Sequence, residues 1–377
     1  MPLLYDAIAL GMWASTRSGF RVSTLGVDPL PVDPGTLIVV THRRETDIPL
    51  LCPSLYLRAG LWRRRKRRVA FAARDDLAEP GFLAGFSPGL PVAMQRLLYP
   101  LGVGALLRRM QVYPVSRGIG PLARDVLEAF ADRPLDAFLP KATAASLRLR
   151  ALEAELAPPR VGADVLRGEY ADLLWQEFGR DALDSPELEP LWQRRAAVAA
   201  TEFRGIVTVL RRGAALLVFP EGRPSPDGAV GPLLPGAEAL LRLGRPHWLQ
   251  PIGIAYDPLT RGRTRAHVVF PERLDLRGGE RPDILSVLRN VVPLTCGQVV
   301  AHRLLRAGSR DTAALEREVE AEVGAAAADG RAVDPALEQP DGRRRRVAEA
   351  LDAASRLAPG DLEYLAREYE SARETAR

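Results

Sequence analysis

The sequence predicts an α/β fold with a largely parallel sheet flanked by helices. Strand-like runs of β-branched and apolar residues alternate with helical patterns between residues 36 and 275, an order typical of βαβ units. The runs TLIVV and ALLVF lack polar alternation, as in strands that are buried on both faces. Both runs end in polar residues, and open parallel sheets carry their sites outside the carboxyl ends of strands.

Each element follows from its local pattern. Residues 3–14 predict a short apolar helix, and the Pro and Gly residues of 21–35 exclude a long element there. Strands are predicted within TLIVVTH (36–42), VAFAARDDL (69–77), MQVYPVSRG (110–118), ALLVFPEGR (215–223), WLQPIGIAYD (248–257) and AHVVFPERL (266–274). Helical patterns occur at 121–132, 146–157, 165–179, 188–200 and 202–213.

These elements suggest a division of the chain. Residues 1–142 and 201–275 are expected to form the α/β core, with 143–200 as a helical insertion that covers the site, adds membrane contact or packs on the core. Residues 276–377 are predicted to be a helical C-terminal extension, either packed or in part disordered.

Composition narrows the class of protein. The net charge is +5, and the basic residues are mostly Arg, which suits phosphate recognition but is also typical of GC-rich genomes. Cys52 and Cys296 lack the spacing of a disulfide framework or a zinc site, so we expect neither, and a reducing compartment fits. The first residues lack the pattern of a signal peptide, and no run reaches the roughly 18 apolar residues that a spanning helix needs. A cytoplasmic protein that lies on a membrane, if it handles lipid, is the expectation.

Two strand ends carry candidate chemistry. His42 follows TLIVVT, and Asp47 comes five residues later. The two would lie about 140° apart on a straight helix, so they can meet only if the chain turns between strand and helix. A carboxylate that holds a His fixes its tautomer and makes it a proton acceptor. By itself, such a pair also occurs by chance.

The second strand end is the Phe-Pro-Glu-Gly-Arg segment that contains Glu221, Gly222 and Arg223. Gly permits close backbone approach to a ligand, and Arg favours a phosphate or a carboxylate. Taken alone, the segment is also compatible with an ordinary surface loop.

Together the motifs resemble the glycerophospholipid acyltransferases, which include lysophosphatidate and glycerol-3-phosphate acyltransferases. The resemblance rests on the order of four motifs within residues 20–275: His42-x4-Asp47, VYPVSRG with Arg117 and Gly118, VFPEGR with Glu221 and Gly222, and QPIGIAY with Pro251. An ordered set of this kind is far more specific than any single member.

The resemblance implies an α/β fold in which His42 is the general base on an acceptor hydroxyl and Asp47 orients it. The hydroxyl oxygen would attack a thioester carbonyl directly, so neither a cofactor nor a metal is expected. The acyl donor would be acyl-CoA or an acyl carrier protein thioester. Arg117, Gly118, Glu221 and Gly222 would help form the acceptor site for a glycerol-phosphate or lysophospholipid, with Pro251 near the acyl or acceptor pocket.

The sequence also departs from the family. The third motif usually continues Thr-Arg-Ser, but here it continues Arg223-Pro224-Ser225, so Arg223 becomes a second candidate for phosphate binding. Arg44 stands where a small Ser is frequent. A catalytically weakened relative that binds lipid or a carrier protein is therefore an alternative, although the His42 and Asp47 pair is intact.

The densest basic run lies between the first two predicted strands. Apolar groups beside cations suit an anionic bilayer surface, so we predict peripheral contact with the inner face of the membrane. A solvated loop is the alternative, and a nucleic-acid partner is not expected because no stacking platform or recognition helix accompanies the run. The oligomeric state is not predicted. The run consists of Trp62, Arg63, Arg64, Arg65, Lys66, Arg67 and Arg68.

Overall fold

The computed structural model describes residues 2–27, 33–58, 69–78, 84, 91–116, 118, 120–153, 155–167, 170, 173–178, 186–279, 281–308 and 310–374. The chain divides into two compact units. Unit 1 comprises Met1–Ala70 and Val207–Arg377, and unit 2 comprises Phe71–Ile206. The domain boundaries predicted from the sequence stay a prediction.

The strands are β1 (Arg21–Gly26), β2 (Thr36–Val40), β3 (Val69–Arg74), β4 (Val112–Val115), β5 (Ala215–Val218), β6 (Trp248–Asp257), β7 (Arg265–Phe270) and β8 (Leu274–Asp275). The helices are α1 (Pro2–Gly19), α2 (Asp47–Arg58), α3 (Val92–Leu98), α4 (Gly104–Arg109), α5 (Ala123–Ala129), α6 (Lys141–Glu153), α7 (Gly162–Val165), α8 (Glu189–Arg211), α9 (Pro235–Gly244), α10 (Ile284–Asn290), α11 (Cys296–Ala307), α12 (Thr312–Ala328), α13 (Pro340–Ala354) and α14 (Pro359–Arg373). Short 3-10 turns lie at Asp75–Ala78, Leu135–Ala137, Pro186–Leu188 and Pro335–Leu337.

The sheet of unit 1 confirms the predicted fold class. Its strands follow the order β1, β7, β6, β2 and β5, and β8 pairs with the start of β6. The β1–β7, β6–β2 and β2–β5 pairs are parallel, whereas β7 and β8 run antiparallel to β6. Every residue of β2 and β5 is buried, as expected for central strands without polar alternation.

The described residues of 276–377 fold as helices around a shared apolar core. Helix α11 packs against α14, α13 and α12, and the cluster includes Val299, Val300, Val319, Val347 and Tyr369. Thr295 caps α11 through a reciprocal bond with Gln298, and Gly308 ends it in a left-handed conformation at φ 63°.

Unit 2 contains the parallel β3–β4 pair and a separate core of buried residues that includes Val126, Leu147, Leu174, Trp175 and Trp192. The apolar side chains of the predicted insertion are thus largely buried, in a core that they share with residues of 122–139.

One predicted helix is wrong. The pattern at 165–179 predicts a helix, but only the end of α7 is α-helical among its described residues, and 173–177 form turns and a bridge. The Ala123 amide donates to the Gln176 carbonyl (2.8 Å), and the Phe178 amide donates to the Pro121 carbonyl (3.0 Å). Backbone partners along 121–124 therefore replace helical hydrogen bonds, and the apolar spacing serves a turn that fills the unit 2 core.

Candidate active site

Two loops meet at the carboxyl edge of the unit 1 sheet. The first follows β2 and carries His42, and the second follows the adjacent parallel strand β5 and carries Glu221. The amide of His42 donates to Glu221 Oε1 at 2.8 Å, and the amide of Ser225 donates to the His42 carbonyl at 2.9 Å. The structure thus brings together two motifs that are far apart in the chain.

His42 and Asp47 form a buried hydrogen-bonded pair. His42 Nδ1 lies 2.9 Å from Asp47 Oδ2, and the two residues are 8% and 0% exposed. A carboxylate can only accept, so in the neutral ring Nδ1 carries the proton and Nε2 keeps its lone pair. The ring packs against Phe219 with the ring centroids 4.4 Å apart. Nε2 makes no hydrogen bond to any residue that the structure describes, so it is the nitrogen that could accept a proton.

Asp47 is fixed by further donors. The amides of Arg43 and Arg44 donate to Oδ2 at 2.5 and 2.9 Å, and the Tyr256 hydroxyl donates to Oδ1 at 2.8 Å. Asp47 begins α2, where the helix dipole also favours a negative charge. The backbone therefore turns as the sequence required, because the loop wraps around the carboxylate.

The sequence did not single out Tyr256, although it ends the β6 pattern at the edge where the other site residues lie. Burial raises the pKa of its hydroxyl, and the adjacent Asp47 carboxylate raises it further. The hydroxyl is therefore a protonated donor at neutral pH. The Arg44 guanidinium lies over the Tyr256 ring, 4.7 Å from its centroid, so Arg44 is held beside the pair.

Glu221 holds backbone rather than facing outward. Oε1 accepts from the His42 amide, and Oε2 accepts from the Gly231 amide at 3.1 Å. Burial raises the pKa of Glu221, while the Arg43 guanidinium and these two amides act in the opposite direction. The carboxylate thus clamps the loop that carries His42, and its predicted part in the acceptor site stays a prediction.

Gly222 is required on two counts. Its φ is 70°, which disfavours L side chains, and an added Cβ would lie 2.4 Å from Leu234 Cδ1. Arg223 is exposed, and it makes no hydrogen bond or ion pair to another described residue. Its guanidinium is free to bind an anion.

Pro251 lies within the sheet. It pairs with Val39 in β2, between the stretch of β6 that pairs with β8 and the stretch that pairs with β7. A Pro is tolerated there because β6 has a neighbour on one side only at this residue. The Gln250 side chain donates to the Pro251 carbonyl at 2.9 Å. A contact of Pro251 with substrate stays a prediction.

The loop after β4 belongs to unit 2. Arg117 lies outside the described residues, but its neighbours are held by carboxylates. The Ser116 amide donates to Glu202 at 2.8 Å, and the Gly120 amide donates to Glu177 at 2.6 Å. An added Cβ on Gly118 would lie 2.0 Å from Glu177 Oε1, which excludes other residues at this position unless Glu177 moves.

The remaining predictions concern membrane contact and metals. The basic run from Trp62 to Arg68 lies outside the described residues. Within the described part of the chain, no helix is long and apolar enough to cross a bilayer. In the same residues, no group of three or more His, Cys, Asp or Glu side chains is arranged to hold a metal ion.

Comparison with known proteins gives little independent support. No protein-family model and no curated protein matches the chain. Among solved structures, it is similar to the crystal structure of the 1-acyl-sn-glycerophosphate (LPA) acyltransferase PlsC from Thermotoga maritima, with a TM-score of 0.36 and 16% identity over 73% of this chain and 70% of that chain. A likeness at this level is too weak to bear on activity, so the case for function depends on the site residues.

Proposed function

We propose that the chain is an O-acyltransferase that moves a fatty acyl group from a thioester to a hydroxyl of a phosphate-bearing acceptor. The observation that carries the proposal is the His42 Nδ1 to Asp47 Oδ2 hydrogen bond of 2.9 Å, which leaves Nε2 as a base at a strand end.

The proposed step is a direct transfer. Nε2 of His42 takes the proton of the acceptor hydroxyl as its oxygen attacks the thioester carbonyl carbon. The carbon–sulfur bond breaks, the ester forms, and the thiolate leaves and takes up the proton from the imidazolium. General-base catalysis of this kind contributes about 10²–10⁴-fold. The donor is acyl-CoA or an acyl carrier protein thioester, and the acceptor is a glycerol-phosphate or a lysophospholipid.

A cation should pair with the phosphate of the acceptor. Arg117 is the residue that the motif order assigns, and Arg223 is the exposed cation next to Gly222. Arg117→Ala should raise KM for the acceptor by about ten- to a hundredfold, at about 1.4 kcal/mol per decade, and spare KM for the thioester. If Arg223→Ala alone had that effect, the phosphate contact would belong to Arg223.

We further propose that the basic run docks the protein on the inner, anionic face of a membrane. Replacement of Arg63, Arg64 and Arg65 by Gln should then weaken sedimentation with anionic vesicles, and added salt should do the same. Unchanged binding at low salt would reject the docking role.

The test of the transfer is an assay of the purified protein with liposomes, a labelled acyl thioester and a panel of lysolipids, followed by mass spectrometry of the products. An acylated product that needs the protein, the thioester and one acceptor class supports the proposal. The alternative is a catalytically weakened lipid- or carrier-binding relative, which the altered third motif around Arg223 favours. Retained vesicle or carrier binding without any product would favour that alternative.

A further inference from the structure

Arg43, which follows the proposed base, has a buried charged side chain. Only 1% of the side chain is exposed. Its Nη1 donates to the Gly228 carbonyl at 2.8 Å, and its Nε lies 3.2 Å from Glu368 Oε1. Gly228 is in the loop that carries Glu221, and Glu368 is in α14. One guanidinium therefore joins both motif loops to the C-terminal helices.

Glu368 is itself fixed from a second helix. Its side chain is 1% exposed, and Oε2 accepts from Gln298 Nε2 at 2.9 Å. The side-chain oxygen Oε1 of Gln298 in turn accepts from the Thr295 amide at 3.0 Å, at the start of α11. Burial raises the pKa of Glu368, and Arg43 acts against that rise.

Helix α14 has two further contacts with the same loops. The Tyr364 hydroxyl donates to the Arg43 carbonyl at 3.3 Å, and Ser371 Oγ accepts from the Val230 amide at 3.1 Å. Val230 precedes the Gly whose amide binds Glu221. An added Cβ on Gly228 would lie 2.1 Å from the Tyr364 carbonyl oxygen, so loop and helix are in close contact.

A buried ion pair is a poor source of stability, because desolvation of both charges offsets their attraction and apolar residues of similar size often do as well. Its geometric consequence is different, since it fixes the backbone next to His42. We propose that Arg43 and Glu368 are positioning residues for the His42 and Asp47 pair, so that α14 is a component of the active site. This inference rests on the proposed function.

The main variant replaces the pair by apolar side chains, Arg43→Met with Glu368→Met. Either single change leaves a buried charge without its partner and should lower the urea midpoint of unfolding, whereas the double variant should recover most of the loss. We expect kcat of the double variant to fall about ten- to a hundredfold, because small misplacements of a catalytic group cost about that much. KM for both substrates should stay within about twofold. The matched control is Glu370→Gln, because Glu370 lies on the same helix but is paired with the partly exposed Arg306. This variant should leave kcat and KM unchanged.

A second readout does not need activity. The chain has four histidines, so ¹⁵N-histidine labelling with His42→Ala as a reference identifies the Nδ1 proton that bonds to Asp47. We expect that signal to shift or broaden in the double variant and to stay unchanged in Glu370→Gln. Absence of transfer by the wild-type protein would refute the proposed function, whereas the proton signal would still test the positioning.

Two results would overturn the inference. One is a stable double variant with wild-type kcat, and the other is a stable double variant in which the signal of the His42 Nδ1 proton is unchanged. If the double variant does not fold, Arg43→Lys takes its place, because it keeps the charge but lacks the fork that reaches both Gly228 and Glu368. We expect stable Arg43→Lys protein with a lower kcat, and wild-type kcat in that protein would also refute the inference.

Discussion

The described part of unit 1 contains two buried His and Asp pairs with different environments. His42 lies in the loop after β2, with Nδ1 2.9 Å from Asp47. His267 lies inside β7, fully buried, with Nε2 3.8 Å from Asp334 Oδ2. Neither ring nitrogen of His267 has a hydrogen-bond partner among the described residues. The same two residue types thus give a candidate base in one place and a sealed core residue in the other.

The difference comes from position in the sheet. His267 pairs with Ala255 on one side and Ser23 on the other, so strands enclose its backbone on both sides. His42 follows the last residue of its strand by two positions, where the chain can wrap around a carboxylate. Asp334 accepts with Oδ1 from Arg265 Nη2 at 2.8 Å and from the Ala336 amide at 3.0 Å, whereas Oδ2, the oxygen nearer His267, has no hydrogen-bond partner among the described residues. A strand end, rather than the pair itself, distinguishes the candidate site.

The largest expected effect is on transfer by His42→Ala. Loss of the base should lower kcat by about 10²–10⁴-fold. The urea midpoint should fall as well, because the buried ring packs against Phe219 and donates to Asp47, but the protein should stay folded. Steady-state rates and unfolding curves of the same preparation measure both. Asp47→Asn should also lose much of the rate, since Asn cannot hold the same tautomer as firmly. Near-normal turnover by His42→Ala would mean that His42 is not the base.

The next largest effect is expected at Glu221, whose carboxylate accepts from two backbone amides and so holds the loop of His42. Among the described residues, the His267 and Asp334 pair has no corresponding contact. Glu221→Gln retains one carbonyl oxygen but turns an amide NH₂ toward the amide of His42 or Gly231, so one buried N–H loses its acceptor. That costs about 1–3 kcal/mol, and we expect kcat to fall about ten- to a hundredfold as the His42 loop loosens. The exposed Glu238→Gln, in α9, is the control. Equal losses of stability in both variants would argue against the clamp.

A smaller effect, on the pH dependence of the unfolding free energy, should distinguish the His267 pair from the His42 pair. Burial lowers the pKa of His267 below its ordinary value of 6.5, and Arg265 and Arg346 lower it further against Asp334 and Asp257. As the pH falls, His267 therefore takes up a proton in the unfolded chain before it does so in the folded protein. Its contribution to stability is complete above the pKa of the unfolded state and is lost as the pH drops toward the lower pKa of the folded state. The slope is at most about 1.4 kcal/mol per pH unit.

The measurement for His267 is urea unfolding at pH 7, 6 and 5. His267→Leu should flatten the fall of the unfolding free energy below pH 7 and leave kcat at neutral pH within about twofold. His302→Gln is the control, because His302 is only partly buried beside Glu370. An unchanged slope in His267→Leu would assign the acid sensitivity to another group.

The sequence predicted β2 and β5 well because their apolar runs are uninterrupted, but it did not predict β1 as a strand. The range predicted for β6, residues 248–257, matches the structure at both ends. The placement of His42 at a strand end was also enough to predict that the chain turns there and that His42 can meet Asp47. The turn at 173–177 was not foreseen, since its apolar spacing imitates a helix and its backbone partners lie near residue 122.

Long-range partners were also missed. Arg43 and Glu368 are each an ordinary charged residue in a polar segment, and only the packing of α14 makes them a buried pair. Tyr256 was treated as part of a strand, because nothing in its local pattern shows that its hydroxyl reaches Asp47. Local patterns specify elements, whereas these contacts depend on how the elements pack.

Among the variants of the His42 site, the smallest effect on kcat is expected for Tyr256→Phe, which tests how much the donors around Asp47 matter beyond His42 itself. The ring remains, so Arg44 keeps its stacking partner, and the hydrogen bonds of the hydroxyl to Asp47 Oδ1 and Thr46 Oγ1 are lost. The amides of Arg43 and Arg44 still hold Oδ2, the oxygen that faces His42. We therefore expect kcat to fall only a few-fold, with unfolding free energy lower by about 1.5–3 kcal/mol for a bond to a charged group. Tyr364→Phe, which loses a longer bond of 3.3 Å to a neutral carbonyl, should cost less stability. A hundredfold loss of kcat in Tyr256→Phe would place the hydroxyl in the catalytic step, because a bond that only steadies the far oxygen of Asp47 cannot account for it.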